Sequence, residues 1–239
     1  GNSAISHYQS HYPIASYLVA LAVTNYSVFT NNIQIDGKTL PVIQYAYPEN
    51  LSSFQSATPV VLNALQLYSK YFGDYPFLKE RYGQTQFSWG GGMEHQTNSF
   101  IVNTGTNLMT HELGHQWFGD KVTCGSWQDI WLNEGFAQWL ADMFYTEKID
   151  SANYKSNVKA DLLYVVSQPG GTVWVDDTTN SNRIFDTRLT YDKGAFLVRM
   201  LRWTLGDSIF FNGINSSVTD GKVTDGFART ADLRPNVHE

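Results

Sequence analysis

The sequence predicts an α+β domain that is mainly helical and carries a small β-sheet. Long stretches repeat apolar residues at helical spacing, and shorter stretches between them have the alternation and β-branched content of strands. The 239 residues are 42% apolar and 15% aromatic, which favours a folded core over disorder. The net charge of −6 argues against a nucleic-acid partner, and no apolar run is long enough for a membrane span.

Four strands are predicted, at residues 16–23, 40–47, 84–89 and 99–102. The third strand leads into glycines 90–92, which lack side chains and would let another backbone approach closely. Residues 173–182 are expected to form a loop, and residues 225–239 a polar end that frays.

Five helices are predicted, at residues 52–72, 107–119, 134–145, 153–167 and 190–205. Gly73 is placed to end the first helix. Pro59 lies inside that helix, so an alternative start near Thr58 stays open.

The stretch around the second helix has the spacing of a metal site. His111 and His115 are four residues apart, which on a helix places them about 40° apart on one face. Glu134 follows His115 after eighteen intervening residues, at the start of the next helix. Catalytic zinc takes three nitrogen or oxygen ligands and leaves a fourth position for water. We therefore predict one Zn²⁺ per chain, held by these three residues.

Glu112 is rotated about 100° from His111, which places it to take a proton from the water that the metal activates. Met109, Leu113 and Trp117 form an apolar stripe on the opposite side, so the helix is expected to be buried. An ordinary amphipathic helix with two histidines is the alternative. The Asn133-Glu134-Gly135-Phe136 stretch at the required distance favours the metal site.

Three motifs in this order resemble the M1 family of gluzincin metallopeptidases, the M1 aminopeptidases. The first is the HExxH stretch at 111–115 with its partner stretch at 131–137. The second, Gly91-Gly92-Met93-Glu94-His95, resembles the family's G-x-M-E-N exopeptidase motif, with histidine in place of the usual asparagine. The third, at 191–195, resembles the family's Y-x-K-G-A segment. The resemblance extends from about residue 17 to about residue 211.

The resemblance implies a thermolysin-like zincin catalytic domain, in which a small β-sheet lobe carries the substrate-binding edge strand. Glu94, beside Gly91, Gly92 and Met93 on that strand, would bind the free α-ammonium of a peptide. Tyr191 would stabilise the oxyanion. His95 leaves this role of Glu94 unchanged but alters the local hydrogen bonding.

The resemblance also implies that residues 1–45 are the last strands of a preceding β domain and residues 46–239 the peptidase domain. Flanking domains would then be missing, and exposed apolar surface at 17–23 would favour self-association. Three glycosylation sequons, at Asn25, Asn50 and Asn215, favour an exported protein over a cytoplasmic one. Cys124 is the single cysteine and lies outside the ligand spacing.

The predicted function is zinc-dependent hydrolysis of the N-terminal peptide bond of peptides. The alternatives are a zinc endopeptidase or another zinc hydrolase of the same fold, a weakly active isolated domain, and a non-catalytic binding module. Trp117, Trp127 and Trp131 are expected in the core. Hydrogen-bond partners of the metal ligands stay open among the polar residues near the motif, namely Asp120, Asp129, Gln138 and Asp142.

Overall fold

The computed structural model describes residues 5, 7–219 and 226–233, and of residues 151–154 and 157 it describes the backbone alone. A mixed sheet and the helices packed on it form one α+β structure, so this fold-class prediction is confirmed. The strands are β1 (Ser27–Ile35), β2 (Lys38–Ala46), β3 (Tyr82–Gln86), β4 (Gly92–Met93), β5 (Ser99–Ile101), β6 (Val122–Cys124) and β7 (Gly226–Ala228). The helices are α1 (Leu51–Phe72), α2 (Thr106–Gly114), α3 (Trp131–Lys148), α4 (Ser151–Val165), α5 (Ser181–Ile184), α6 (Lys193–Leu205) and α7 (Asp207–Thr219).

The main sheet has the strand order β1-β2-β3-β5-β4. β2, β3 and β5 run parallel, while β1 and β4 are antiparallel to their neighbours. β4 is therefore an edge strand, and it carries Gly92 and Met93, where the resemblance implied one. β6 and β7 form a separate parallel pair.

Strand β1 was not predicted. It forms a hairpin with β2 through Asp36 and Gly37, and both of these residues have positive φ values (47° and 70°). Asp-Gly with two positive φ angles is typical of the type I′ turn, whose twist matches that of paired strands. The dipeptide was therefore a local signal for the missing strand.

Helix α1 runs through Pro59 without interruption, so the alternative start near Thr58 is wrong. Proline removes the backbone bond to the Gln55 carbonyl. Gln55 and Pro59 are both exposed, so water can solvate that carbonyl. The opposite face of α1 is buried in the main core, which also contains the predicted back stripe of α2, Met109, Leu113 and Trp117.

Several predicted elements differ from the structure. Residues 16–23 are not a strand. Ser16–Leu18 is a 3-10 turn, and residues 19–23 pair with no strand among the described residues. The alternating pattern fits a strand, but a strand also needs a hydrogen-bonded partner. Helix α2 ends at Gly114 rather than at residue 119, because the backbone tightens to i→i−3 bonds at Gln116 and Trp117.

The chain end also differs. Residues 226–228 form β7 and are not frayed, because this strand pairs with β6 and Thr230 bonds to Asp129 through its backbone and hydroxyl. Residues 225 and 234–239 lie outside the described part of the chain. The predicted helix at 190–205 begins as a regular helix at Lys193, and a π-helical turn over Thr187–Asp192 precedes it.

The predicted boundary between residues 45 and 46 falls inside β2, and β2 pairs with β3 in the main sheet. Residues 27–46 thus share a sheet with the strands that follow. The division into two domains, the flanking domains and self-association stay predictions. Most of the segment that prompted the last of these is exposed, with Leu21 83% accessible, although Leu18 is buried. None of the described helices is long and apolar enough to cross a membrane.

Helices α3 and α6 cross with almost no space between their backbones. A Cβ added to Gly135 would lie 2.8 Å from the Cα and carbonyl carbon of Gly194. This close crossing fixes the start of α3, which carries Glu134, against the start of α6, which follows Tyr191.

We expect Gly135→Ala to lower the free energy of unfolding by about 1–3 kcal/mol, because two backbones would have to separate. Gly213→Ala is the matched control: Gly213 is also helical, but its Cβ would meet no atom within 4 Å. That control should keep or slightly raise stability. Urea denaturation of both variants measures the difference, and equal stabilities would contradict the close crossing.

Candidate active site

The three predicted metal ligands meet at one point between α2 and α3. The Nε2 atoms of His111 and His115 are 3.1 Å apart. They lie 3.3 Å and 3.2 Å, respectively, from Oε2 of Glu134. Ligands that surround a tetrahedral zinc ion at 2.0–2.1 Å are separated from one another by about 3.3 Å. The residues present therefore fit a zinc ion in both chemistry and spacing.

The turn that follows α2 orients His115. Nδ1 of His115 donates a hydrogen bond to the Phe118 carbonyl at 3.0 Å, because a carbonyl oxygen can only accept. Nδ1 therefore carries the hydrogen, and Nε2 presents its lone pair to the metal position. In the same turn, the Trp117 indole donates to the Gly73 carbonyl at 3.1 Å, which anchors the turn after α2 to the end of α1.

The charges of these groups suit metal binding. Burial alone would raise the pKa of Glu134, but the two histidines outweigh it and hold that pKa at about 2, so the carboxylate stays ionised. Burial lowers the pKa of His111 and favours its neutral form. Burial acts in the same way on His115, but Glu134 and Glu94 raise its pKa above the ordinary value. A metal ion would displace that proton.

Glu112 is buried beside the metal position. Burial, and then the Glu94 and Glu134 carboxylates, raise its pKa against the opposing effect of His115. Its Oε2 is buried and has no hydrogen-bond partner in the described structure. A Cβ on Gly92 would lie 2.6 Å from the Glu112 carboxylate carbon, so a side chain at position 92 would have to displace this carboxylate.

Glu94 follows β4 directly and is buried next to the same group of residues. Carboxylate oxygens of Glu94 and Glu112 and a ring nitrogen of His115 lie within 4.8 Å of one another. The Gln116 amide donates to the Glu94 carbonyl at 3.3 Å, which attaches the end of β4 to the turn after α2.

Tyr191 lies in the π-helical turn before α6. Its ring lies near-parallel to that of His111, with centroids 6.0 Å apart. Burial, followed by the charge of Glu134, raises the pKa of the phenol, so the hydroxyl stays protonated and available as a donor. The wider turn, in place of the predicted α-helical first turn, sets the position of this side chain.

All nine predicted site residues line one cavity of about 990 Å³. They are Gly91, Gly92, Met93, Glu94, His111, Glu112, His115, Glu134 and Tyr191. The structure thus brings together residues that three separate motifs supplied.

The sequence profile described as "Peptidase family M1 domain" matches residues 92–234, more than half of the chain. The chain belongs to peptidase family M1. Its fold also resembles a mutant M1 zinc metallopeptidase from Deinococcus radiodurans, with a TM-score of 0.78 at 24% identity, over 93% of this chain and 51% of the other.

Curated M1 relatives are similar over nearly the whole chain. Aminopeptidase 2 of Candida albicans is 30% identical over 98% of this chain and 27% of its own length. Mitochondrial aminopeptidase 2 of Saccharomyces cerevisiae is 31% identical over 92% and 25%. Human endoplasmic reticulum aminopeptidase 1 is 28% identical over 87% and 24%. The chain therefore spans about a quarter of the length of these relatives.

Four cavity-lining aromatic residues were not predicted for this M1 site, namely Tyr17, Trp127, Phe185 and Phe227. Tyr17 enters the cavity from the N-terminal segment, and no local motif pointed to it. Trp127, expected in the core, is 50% exposed and lines the cavity, where its ring packs edge-on against Phe185. Trp117 and Trp131 are buried, as predicted.

The four polar residues near the motif take different roles. Asp129 bonds to Thr230, and Asp142 pairs with Arg199 at 2.9 Å. Gln138 lines the cavity. Asp120 is buried, and neither carboxylate oxygen has a hydrogen-bond partner among the described residues. Burial, and then the nearby Glu94, raise the pKa of Asp120.

Proposed function

We propose that this chain is the catalytic part of a zinc aminopeptidase that removes the N-terminal residue of peptides. Membership of family M1 supports a peptidase, and the relatives above are named aminopeptidases. We further propose one zinc ion per chain and a thermolysin-like arrangement, in which the sheet and the helices carry opposite walls of the cleft.

The position of Glu94 is the observation that carries this proposal. In a peptide, the α-amino nitrogen lies only about 2.5 Å from the carbonyl carbon of the first residue. An anchor for the free amine must therefore lie very close to the group that activates water. Glu94, Glu112 and His115 have their polar atoms within 4.8 Å of one another, which meets this requirement. An endopeptidase would need open space here for the preceding residues.

The charge of the site points in the same direction. Glu94, Glu112 and Glu134 are three buried carboxyl groups of the cavity lining, and the described lining includes no lysine or arginine. A divalent zinc ion would balance part of this negative charge. The remainder favours a cationic group, which an N-terminal ammonium supplies.

His111, His115 and Glu134 would hold the zinc ion. When bound there, zinc polarises water and the scissile carbonyl. Glu112, with its raised pKa, would accept the proton of the attacking water and then donate it to the leaving amine. The backbone of the edge strand β4 would pair with the extended substrate, and glycine at 91 and 92 leaves that approach free.

The Tyr191 hydroxyl would donate to the oxyanion that forms on the attacked carbonyl. We expect Tyr191→Phe to lower kcat by about 10²-fold with little change in substrate binding, because the bond forms mainly in the transition state. Steady-state kinetics on a leucyl reporter substrate measures this. Tyr164→Phe, at an exposed tyrosine of α4, is the control, and an unchanged kcat for Tyr191→Phe would assign that residue a packing role.

The central test compares free and blocked substrates. The zinc-loaded chain should hydrolyse a leucyl reporter and leave its N-acetylated form essentially uncut. Glu94→Gln should raise KM for the free substrate by at least about tenfold, since a charged hydrogen-bond partner is lost. Glu49→Gln, an exposed glutamate, is the control. Equal hydrolysis of both substrates by the unmutated chain would favour the endopeptidase or another hydrolase.

A further inference from the structure

Residues 11–18, here called the strap, run along the sheet and end at the cavity. At the near end, the His11 amide donates to Glu80 at 2.6 Å, and the Lys79 amide donates to the Tyr12 hydroxyl at 3.2 Å. The Tyr12 ring packs edge-on against Phe77 with centroids 5.2 Å apart. Ordinary packing and hydrogen bonds thus hold the start of the strap.

The far end of the strap is held by the two residues that follow Glu94. The Gln96 amide donates to the Pro13 carbonyl at 3.0 Å. His95 Nδ1 donates to the Leu18 carbonyl at 3.1 Å, and Leu18 itself is buried. Because the carbonyl can only accept, this bond fixes the His95 tautomer with hydrogen on Nδ1. The Phe100 ring packs edge-on against His95 at 4.6 Å.

The bond from His95 to Leu18 joins the residue after Glu94 to the residue after Tyr17, so it brings Glu94 and Tyr17 to the same part of the cavity wall. Both line the cavity, and Tyr17 is 41% exposed there. Burial, and then the charge of Glu94, raise the pKa of the Tyr17 phenol. The phenol therefore keeps its proton and can serve only as a donor to the carboxylate.

We propose that Tyr17 is a positioning residue for Glu94 and that His95 maintains this contact through the strap. A hydroxyl donor on one carboxylate oxygen restricts rotation of Glu94 and leaves the other oxygen for the substrate ammonium. The assignment rests on the proposed function for what Glu94 binds. It also gives His95, which replaces the usual family asparagine, a specific task.

The test is calorimetric binding of L-leucinamide and N-acetyl-L-leucinamide to the zinc-loaded 239-residue chain. Tyr17→Phe should raise the Kd of L-leucinamide about tenfold, because the Glu94 carboxylate loses the donor that orients it, and should leave the acetylated probe and the zinc content unchanged. In kinetics, KM for a leucyl reporter should rise about tenfold while kcat stays within about twofold. Tyr8→Phe, at an exposed tyrosine that precedes the strap, should match the unmutated chain.

A double-mutant cycle tests the strap. His95→Leu removes the donor and should raise the Kd of L-leucinamide as Tyr17→Phe does, whereas His95→Asn supplies an amide donor and should restore near-normal binding. The Kd of L-leucinamide for the Tyr17→Phe/His95→Leu double variant should be no higher than the higher of the two single-variant Kd values. Fully additive effects, about hundredfold, would overturn the inference.

The outcomes separate this inference from the proposed function. If the unmutated chain prefers the free amine and Tyr17→Phe binds it normally, the positioning role is wrong and the aminopeptidase proposal stands. If the unmutated chain does not distinguish the two probes, Glu94 is not an ammonium anchor, and the proposed function and this inference both fall.

Discussion

Replacing Glu112 with glutamine is expected to lower kcat by about 10³-fold while zinc remains bound. Glutamine keeps the shape of the side chain beneath Gly92 but cannot accept a proton. The parent carboxylate has an unpaired, buried oxygen and a pKa raised by burial and by its acidic neighbours, and both features suit a general base. The measurement is kcat on a leucyl reporter together with zinc content by atomic emission.

Turnover and zinc content together distinguish three outcomes for this variant. A loss of turnover with full zinc occupancy would assign the proton transfer to Glu112. A loss of both would instead show that the substitution disturbs the metal site, to which Glu112 contributes no ligand in the proposed arrangement. Near-normal turnover would show that another group accepts the proton.

The grouping of His111, His115 and Glu134 was predictable because it depends on local geometry. Helical spacing alone brings His111 and His115 to one face, and the observed 3.1 Å between their Nε2 atoms agrees with it. Glu134 was also accessible from the sequence, since it lies close along the chain at the start of the next helix. The motifs supplied Glu94 and Tyr191, although the sequence did not show the π-helical turn that carries Tyr191.

Contacts between distant parts of the chain were not predictable. Tyr17 reaches the cavity because the next residue, Leu18, is held in place by a hydrogen bond from His95 to its carbonyl. These two residues are 77 positions apart in the sequence. The pattern at 16–23 resembles a strand, but its conformation depends on whether another strand is available for pairing. Trp127 is a large aromatic residue of the kind that usually lies in a core. Its exposure to the cavity depends on the loop that contains Phe185, against which its ring packs.

The Asp36-Gly37 hairpin and the end of α2 differ in how much local signal the sequence contains. The hairpin had a clear local signal, so β1 could have been predicted from the turn alone. The end of α2 had none, because the Gly119 conformation and the tightened turn become evident only with the bond from His115 to the Phe118 carbonyl. Apolar periodicity continues through Trp117 while the regular helix has already ended at Gly114.

Replacing His115 with alanine is expected to abolish zinc binding and with it all peptidase activity. Two ligands, His111 and Glu134, would remain, and the substitution would leave Glu134 buried with only one of its two histidine partners. Because zinc binds the folded chain, a free zinc concentration of 100 times its Kd stabilises the folded parent by about 2.7 kcal/mol. The variant should lose this contribution.

Thermal unfolding with and without added zinc, followed by metal analysis after desalting, measures both effects. The Tm of the parent should fall on treatment with a chelator and recover with zinc, while the Tm of His115→Ala should respond to neither. His7→Ala, at an exposed histidine far from the cluster in sequence, should behave like the parent. Retention of one zinc per chain by His115→Ala would show that the ion is held elsewhere, because the remaining pair cannot supply the three ligands of a catalytic zinc site.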